Sequence, residues 1–350
     1  MNDVPPPAAF RQRATIVTLS RLAGVAPSTI SRALKGDTRI SAETRARIAT
    51  LAQELGYTPN ALARTLSSGR SGLIGLVLGP STHPIYTEIL HETVAQAGER
   101  GMRMLMIHAG AGPIEDKTAE ALLQYKVDGC LITSAELSSR AAHICSANGV
   151  PVVMVNRVAR EHSSAVACDN RAGGGELAAL LIAHGHRRFG LVNTSNRTST
   201  ALEREQGFVE HLEKAGQKLM LRLDGQSTYD GGFEAGRQIV ALPARRRPDA
   251  IFAVSDIIGM GVLDALRLGG VRVPQDISVV AFDDIPQAAW PIYDLTTVAQ
   301  PLGAMVRRGL DLLAARMTDP GLPDETVTLR GKLIVRGSVR VIDRNSVPIA

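Results

Sequence analysis

The sequence is poor in cysteine, in aromatic residues and in long apolar runs, and each shortage removes a class of protein. Only Cys130, Cys145 and Cys168 occur in 350 residues. Each stands alone in sequence, so neither a disulfide framework nor a cysteine-held zinc site is expected. Charged residues interrupt every apolar stretch before it reaches membrane-spanning length. The opening MNDVPPPAAFRQR has no basic segment followed by an apolar one and does not read as a secretory signal. A cytoplasmic protein with no membrane partner is the expectation. Aromatics make up 3% of the chain, and Trp290 is the single tryptophan. What is present, 45% hydrophobic and 21% charged residues, is the balance of an ordinary globular protein, long enough for two or three domains.

Charge is unevenly spread. Residues 1–70 hold ten Lys and Arg against four Asp and Glu, while the other 280 hold 29 against 30. A basic head on a near-neutral body is the footprint of phosphate binding or, more plainly, a solvated arginine-rich face. Residues 1–14 are rich in Pro and Ala and read as a disordered tail. Short helices follow. Ile16, Leu19, Leu22 and Ala23 fit one helix, with a tight turn at Gly24. Val25, Ile30 and Leu34 carry the apolar side of a second, and Pro27 suits its first position. Ser41 is placed to cap a third, in which Ile48, Leu51, Ala52 and Leu55 recur at helical spacing before Gly56 ends it. Two short helices about a glycine make a helix-turn-helix. With Val25, Ile30 and Leu34 inward, Ser28, Thr29 and Arg32 face out. There, small hydroxyls can approach a duplex closely and an arginine can grip a guanine with two bonds. A helical hairpin without a partner has the same pattern; the basic charge of the same segment favours DNA.

Past TPNALARTLSSGRSG, apolar runs alternate with amphipathic stretches. Strands are predicted at 72–79, 102–109, 127–134, 150–156, 188–193, 219–223, 249–255 and 277–283. Helices are predicted near 85–100, 115–125, 138–147, 171–184, 200–215, 230–241 and 256–268. Buried strands alternating with helices imply parallel sheets covered on both faces. Eight such units suit two doubly wound α/β lobes better than one wide sheet. Ligands of these sheets bind outside the carboxyl ends of the strands, where polar residues stand here: Asn156, Asn193, Ser255–Asp256 and Asp283–Asp284.

The run TLSRLAGVAPSTISRALKGDTRISAETRARIATLAQELGYTPNALARTL resembles the DNA-binding head and hinge of the LacI/GalR (lactose-repressor) family of bacterial transcription regulators. The likeness continues through VACDNRAGGGELAALLIAHGHRRFGLV, REQGFVEHLEKAG, DAIFAVSDIIGMGVLDALRLGGVRVPQDISVVAFDDIP and LTTVAQP, spanning residues 15 to about 340. It implies a helix-turn-helix domain at 15–59, a hinge helix and linker at 60–72, and an effector-binding and dimerisation domain at 73–345. That domain takes the periplasmic-binding-protein form, with an N-lobe near 73–166 and 301–327 and a C-lobe near 167–300 and 328–345. The resemblance further implies a homodimer or tetramer on a palindromic operator, repressing carbohydrate-utilisation genes until a small sugar-like effector releases it. A nucleobase or nucleoside, or control by a corepressor, is the alternative. Positions matching Pro27, Ser28 and Arg32 reach bases, and Thr15, Thr29, Ser31 and Asn60 join the expected DNA-contacting set. Residues 60–68 match the hinge helix, which orders on DNA and wedges a leucine into the minor groove. Leu66 holds that position, unless it merely packs a short helix, and Ala63 is the small residue beside it. The head departs from the family at Ala26, where a capping Ser or Thr is usual, and at residues 18–20, TLS in place of Asp-Val-Ala.

In the body the resemblance implies that Arg204, Asp256 and Asp283 line the effector cleft, where a guanidinium and two carboxylates suit sugar hydroxyls. Plainer roles are a helix cap for Asp256, a turn cap for Asp283 and a solvated helix position for Arg204. His83, Tyr86, Asn156, Arg157, Asn193 and Trp290 are further candidates; Trp290 either stacks on a sugar ring or packs at an interface. Ser227 stands where many relatives carry an aromatic, and YDLTT replaces PPLTT, which leaves the effector's identity open. An enzyme, or a sugar-binding protein without a regulatory role, is the rival class. AGAG (109–112) and AGGGE (172–176) lack the spacing of a phosphate loop, and the second fits close helix packing. His184 and His186 flank a turn glycine with no third ligand near, and no Ser/His/Asp or Cys/His motif appears. No catalytic residue, metal or cofactor is expected.

Overall fold

The structure, a computed structural model, describes residues 14–58, 71–79, 83–109, 114, 116–133, 138–157, 162–194 and 198–340. Residues 1–13 of the expected tail and the hinge helix, with Asn60, Ala63 and Leu66, lie outside the described residues. The chain divides into two compact units at Ser71 and Gly72.

In the first unit, α1 (Ile16–Ala23), α2 (Pro27–Leu34) and α3 (Ala42–Glu54) form where the sequence places them. Thr15 caps α1 in a capping box with Thr18, and Gly24 ends it in the left-handed region at φ 66°, a conformation that costs glycine nothing. The Thr44 N–H donates to the Ser41 hydroxyl at the start of α3. Leu19, Ile30 and Ile48, one from each helix, meet in the core with Ala23, Ala33 and Ala52. These alanines let short helices approach closely. Leu22, expected inside, is 56% exposed: Leu19 and Ala23 fill the inward stripe, and Leu22 falls off it.

The second unit contains two six-stranded sheets. The first holds β1 (Leu73–Leu78), β2 (Arg103–His108), β3 (Gly129–Thr133), β4 (Val152–Val155), β5 (Ser164–Cys168) and β11 (Thr326–Leu329), in the order β11-β5-β4-β3-β1-β2. The second holds β6 (Phe189–Asn193), β7 (Leu219–Asp224), β8 (Ala250–Ala253), β9 (Ser278–Asp283), β10 (Thr296–Ala299) and β12 (Lys332–Ile334), in the order β12-β10-β9-β8-β6-β7. The two orders are the same doubly wound pattern, each closed by a late strand. Pairing is parallel except between β10 and β12. The central strands are buried on both faces, as in β3, β4, β8 and β9, because helices cover both sides.

The first sheet carries α4 (Pro84–Glu99), α5 (Asp116–Gln124), α6 (Ser139–Ala147) and α11 (Leu302–Thr318); the second carries α7 (Asn170–Ala183), α8 (Ser199–Lys214), α9 (Tyr229–Ala241) and α10 (Asp256–Leu268). All eight expected strands are present. β5, β10, β11, β12 and helix α11 add to them; the strands are short, and β5, β10 and β11 are rich in Ser, Thr and Ala. The glycines of AGGGE do pack helices closely. A methyl on Gly174 would overlap the Arg204 carbonyl oxygen, and one on Gly207 the Arg171 carbonyl oxygen, so α7 and α8 touch through backbone. His184 caps the end of α7, its Nδ1 2.8 Å from the Leu180 carbonyl oxygen, and His186 is buried beside Asp249.

Candidate functional site

Between the lobes, at the carboxyl ends of the strands, lies a cavity of about 330 Å³. Its size is at the small end for ligand pockets. From the N-lobe it is lined by His83 and Tyr86, at the start of α4, and by Asn156 and Arg157, just past β4. From the C-lobe come Arg204 on α8, Ser255 after β8, Asp283 at the end of β9, and a run of hydroxyls: Thr194, Thr198, Thr200, Ser227 and Thr228.

Arg204 is 5% exposed and held on every side. Its Nε donates to Asn170 Oδ1 at 2.9 Å, Nη1 to the Val254 carbonyl at 2.8 Å, and Nη2 pairs with Asp283 Oδ1 at 3.0 Å. The guanidinium lies 3.9 Å over the Phe282 ring. Such a cation is preorganised, since its rotamer is set before any ligand arrives. Asp283 also accepts from Gln300 Nε2 at 2.6 Å, and its φ is 122°. With Asn156 at φ 61°, Gln226 at φ 51° and Ser227 at φ 56°, four of the described cleft-lining residues are non-glycines in the left-handed half of backbone space, a clustering of strain typical of ligand clamps.

His83 reaches Asp283 from the opposite lobe, Nε2 to Oδ2 3.3 Å, while its Nδ1 accepts the Ile85 N–H at 3.3 Å as the N-cap of α4. That cap fixes the tautomer: the proton sits on Nε2, facing the carboxylate. Burial holds the His83 pKa below its ordinary value; Asp283 pushes it up, Arg204 and Arg157 push it down. Ser227 donates to Thr194 Oγ1 at 2.7 Å.

Three expected residues are elsewhere. Asp256 is fully buried: its Oδ1 accepts from Thr297 Oγ1 at 2.6 Å and its Oδ2 from the Ile285 N–H at 2.9 Å. Burial, reinforced by Asp283, pushes its carboxyl pKa well up. It props the strained turn that carries Asp283 rather than lining the cleft; the helix it begins has Ser255 at its N-cap position, without a side-chain cap hydrogen bond. Asn193 turns its amide toward Glu205 and accepts from the Thr194 N–H at 2.7 Å. Trp290 is 52% exposed past the short 3-10 turn Pro286–Ala289, outside the cavity lining. Residues that sequence reasoning missed are the threonines and Gln226. Thr198 and Thr228 carried a signal in their position as N-caps of α8 and α9.

In the head, Thr15, Pro27, Ser28 and Arg32 are exposed, and Thr29 and Ser31 half-buried. Pro27 opens α2, and Ala26 supplies no side-chain cap to its first turn, where the Thr29 and Ile30 N–H groups donate to the Ala26 carbonyl. Among the described residues Arg21, Arg32 and Lys35 make no ion pair. Arg39 is committed to Asp37 at 2.7 Å and Arg47 to the Ala23 carbonyl at 3.2 Å. Arg32 therefore stands outward on α2 as a free cation beside small hydroxyls, the arrangement a major groove accepts.

Residues 15–60 match the bacterial regulatory proteins of the lacI family, and residues 178–339 a periplasmic binding protein-like domain. The ribose operon repressor of Escherichia coli K12 is 32% identical over 330 residues, 93% of this chain and 99% of that one. The HTH-type transcriptional regulator CelR of Thermobifida fusca is 33% identical over 340 residues, 94% and 99% of the two chains. Among solved structures, a CelR–cellobiose complex matches at 32% identity and a TM-score of 0.69, covering 93% of this chain and all of the other. The lac repressor dimer bound to operator and the anti-inducer ONPF matches at a TM-score of 0.85 and 23% identity, over 93% and 99%; at that identity the likeness speaks for the fold.

Proposed function

Since this chain belongs to the LacI family of bacterial regulatory proteins and is a DNA-binding regulator of transcription, not an enzyme, we propose that it represses carbohydrate-utilisation genes and is released by a small sugar-like effector. The head reads one half of a palindromic operator, so a homodimer is required to read both. The effector occupies the cleft between the lobes. By linkage, whatever factor the effector takes from operator affinity, the operator takes from effector affinity.

The observation that carries the effector reading is the Arg204–Asp283 pair, preset at 3.0 Å in an inter-lobe cavity rich in hydroxyls. A guanidinium beside a carboxylate offers a polyol both donors and acceptors. A nucleobase has less support, since it calls for a flat aromatic face. Tyr86, the one Phe, Tyr or Trp among the described lining residues, already carries Arg157 at 5.4 Å.

The reading is tested by thermal shift of the full chain against neutral and charged sugars and nucleosides, followed by footprinting with and without the best ligand. A ligand specific for the folded state raises the melting temperature. The expected result is stabilisation by a sugar, lost in Asp283→Asn, together with release of a specific DNA fragment. Stabilisation by nucleosides alone, or no fragment preferred over competitor, would overturn it.

A further inference from the structure

Among the described residues, the cleft holds one cation more than it has anions to balance. The charged residues among its described lining are Arg157, Arg204 and Asp283, with His83. Asp283 is taken: Arg204 pairs with it at 3.0 Å, Gln300 donates to it at 2.6 Å, and His83 Nε2 faces it at 3.3 Å. Nothing remains for Arg157. That guanidinium is 7% exposed, and among the described residues it has no ion-pair partner. Its Nη1 donates to the Asn156 carbonyl at 2.9 Å, its plane lies over the Tyr86 ring, and its Nε has no acceptor at all.

A buried, hydrogen-bond-deficient arginine is unfavourable unless an anion completes it. Two neighbouring cleft residues are also incomplete: Asn156 Oδ1 has no donor and Ser255 Oγ no partner. The orphans therefore include an acceptor that a ligand hydroxyl would satisfy and a cationic donor that a ligand oxyanion would satisfy. The surrounding backbone has the same polarity. Helices α4, α8, α9 and α10 begin at His83, Thr198, Thr228 and Ser255, all on the cavity wall. Helix starts favour negative charge.

The geometry points to an effector that is a polyhydroxylated anion, a sugar phosphate or sugar acid, whose anionic group sits against Arg157 while its hydroxyls meet Asn156, Asp283 and the threonines. This rests on the cleft being the effector site, and it narrows that reading from sugars in general to charged ones. The cavity volume of about 330 Å³ suits a single sugar-sized ligand.

The test is titration calorimetry on the full chain with matched pairs: ribose against ribose 5-phosphate, glucose against glucose 6-phosphate, and glucose against gluconate. Inorganic phosphate serves as the bare anion. At least one anionic member is expected to bind roughly tenfold or more tightly than its neutral partner, as charge-assisted bonds are stronger than neutral ones. Arg157→Gln should reduce that preference to about twofold or less, and Arg157→Lys, which keeps the charge, should retain part of it. Because the basic head also attracts phosphate, only the Arg157-dependent part of the binding supports the inference. Which pair shows the preference distinguishes phosphate from carboxylate. A neutral sugar that binds as well as its anionic partner, with Arg157→Gln unchanged, overturns the inference and leaves the cleft reading intact. Failure of every sugar, neutral or charged, overturns both.

Discussion

Nε2 of His83 lies 3.3 Å from Oδ2 of Asp283, and the two residues belong to different lobes. The contact spans the cleft, and its strength depends on which nitrogen of the imidazole carries a proton. In its neutral form His83 accepts the Ile85 N–H through Nδ1 and offers Nε2–H to the carboxylate. A second proton on Nδ1 would break the cap of α4.

A pH dependence follows. Burial, opposed by Asp283 and assisted by Arg204 and Arg157, holds the His83 pKa below its ordinary 6.5. The folded body thus binds this proton less well than the unfolded chain. The stabilisation is present above pH 6.5 and lost as pH falls through the lower, folded-state value. The melting temperature of the full chain should fall more steeply below pH 6.5 for the native protein than for His83→Gln. Parallel curves would remove His83 from the account.

Gly207 and Gly174 let α7 and α8 meet backbone to backbone, and Arg204 projects from the same turn of α8. Gly207→Ala should cost about 1–3 kcal/mol by overpacking and weaken effector binding as α8 shifts. Urea unfolding and ligand titration measure the two effects. An alanine variant as stable as the native chain would show that α8 yields without strain.

Ala26 leaves α2 without a side-chain cap. Ala26→Ser should stabilise the head by about 1 kcal/mol, the usual difference between these residues at an N-cap. Slower hydrogen exchange of α1–α3 amides in the full chain is the readout; unchanged exchange would mean that Pro27 already sets the helix start.

Arg32 is exposed on α2 and unpaired among the described residues. Arg32→Ala should cost about 1–3 kcal/mol at one base position of the operator and relax specificity there. A loss spread evenly over all sequences would place the side chain on phosphate.

The architecture was legible because both lobes obey strong periodic rules. Apolar runs such as GLIGLVLG and ISVVAFD sit in the centres of sheets and are buried on both faces. What escaped were strands at or near the sheet edges: TVTL and KLI carry too little apolar pattern to stand out from loop. In the cleft, His83, Tyr86, Asn156, Arg204 and Asp283 come together from four separate segments. Asp256 and Trp290 mark the limit of sequence reasoning. A position at a strand end does not tell which way a side chain turns; Asp256 turns inward to Thr297 and Ile285, and Trp290 turns out to solvent. The excess cation at Arg157 was invisible in the sequence. It emerges only when the partners of Asp283 are known.

Within the described residues the chain passes between sheets three times: after Cys168, after Ala299, and between Leu329 and Lys332. Neither lobe is thus one continuous stretch of polypeptide. A stop codon or protease cut ahead of Thr326 would strip β11 from one sheet and β12 from the other, damaging both walls of the pocket at once. No lobe of this regulator can be lifted out as a cassette and exchanged for a relative's. Redirecting it to a new inducer has to proceed side chain by side chain, around a scaffold kept whole.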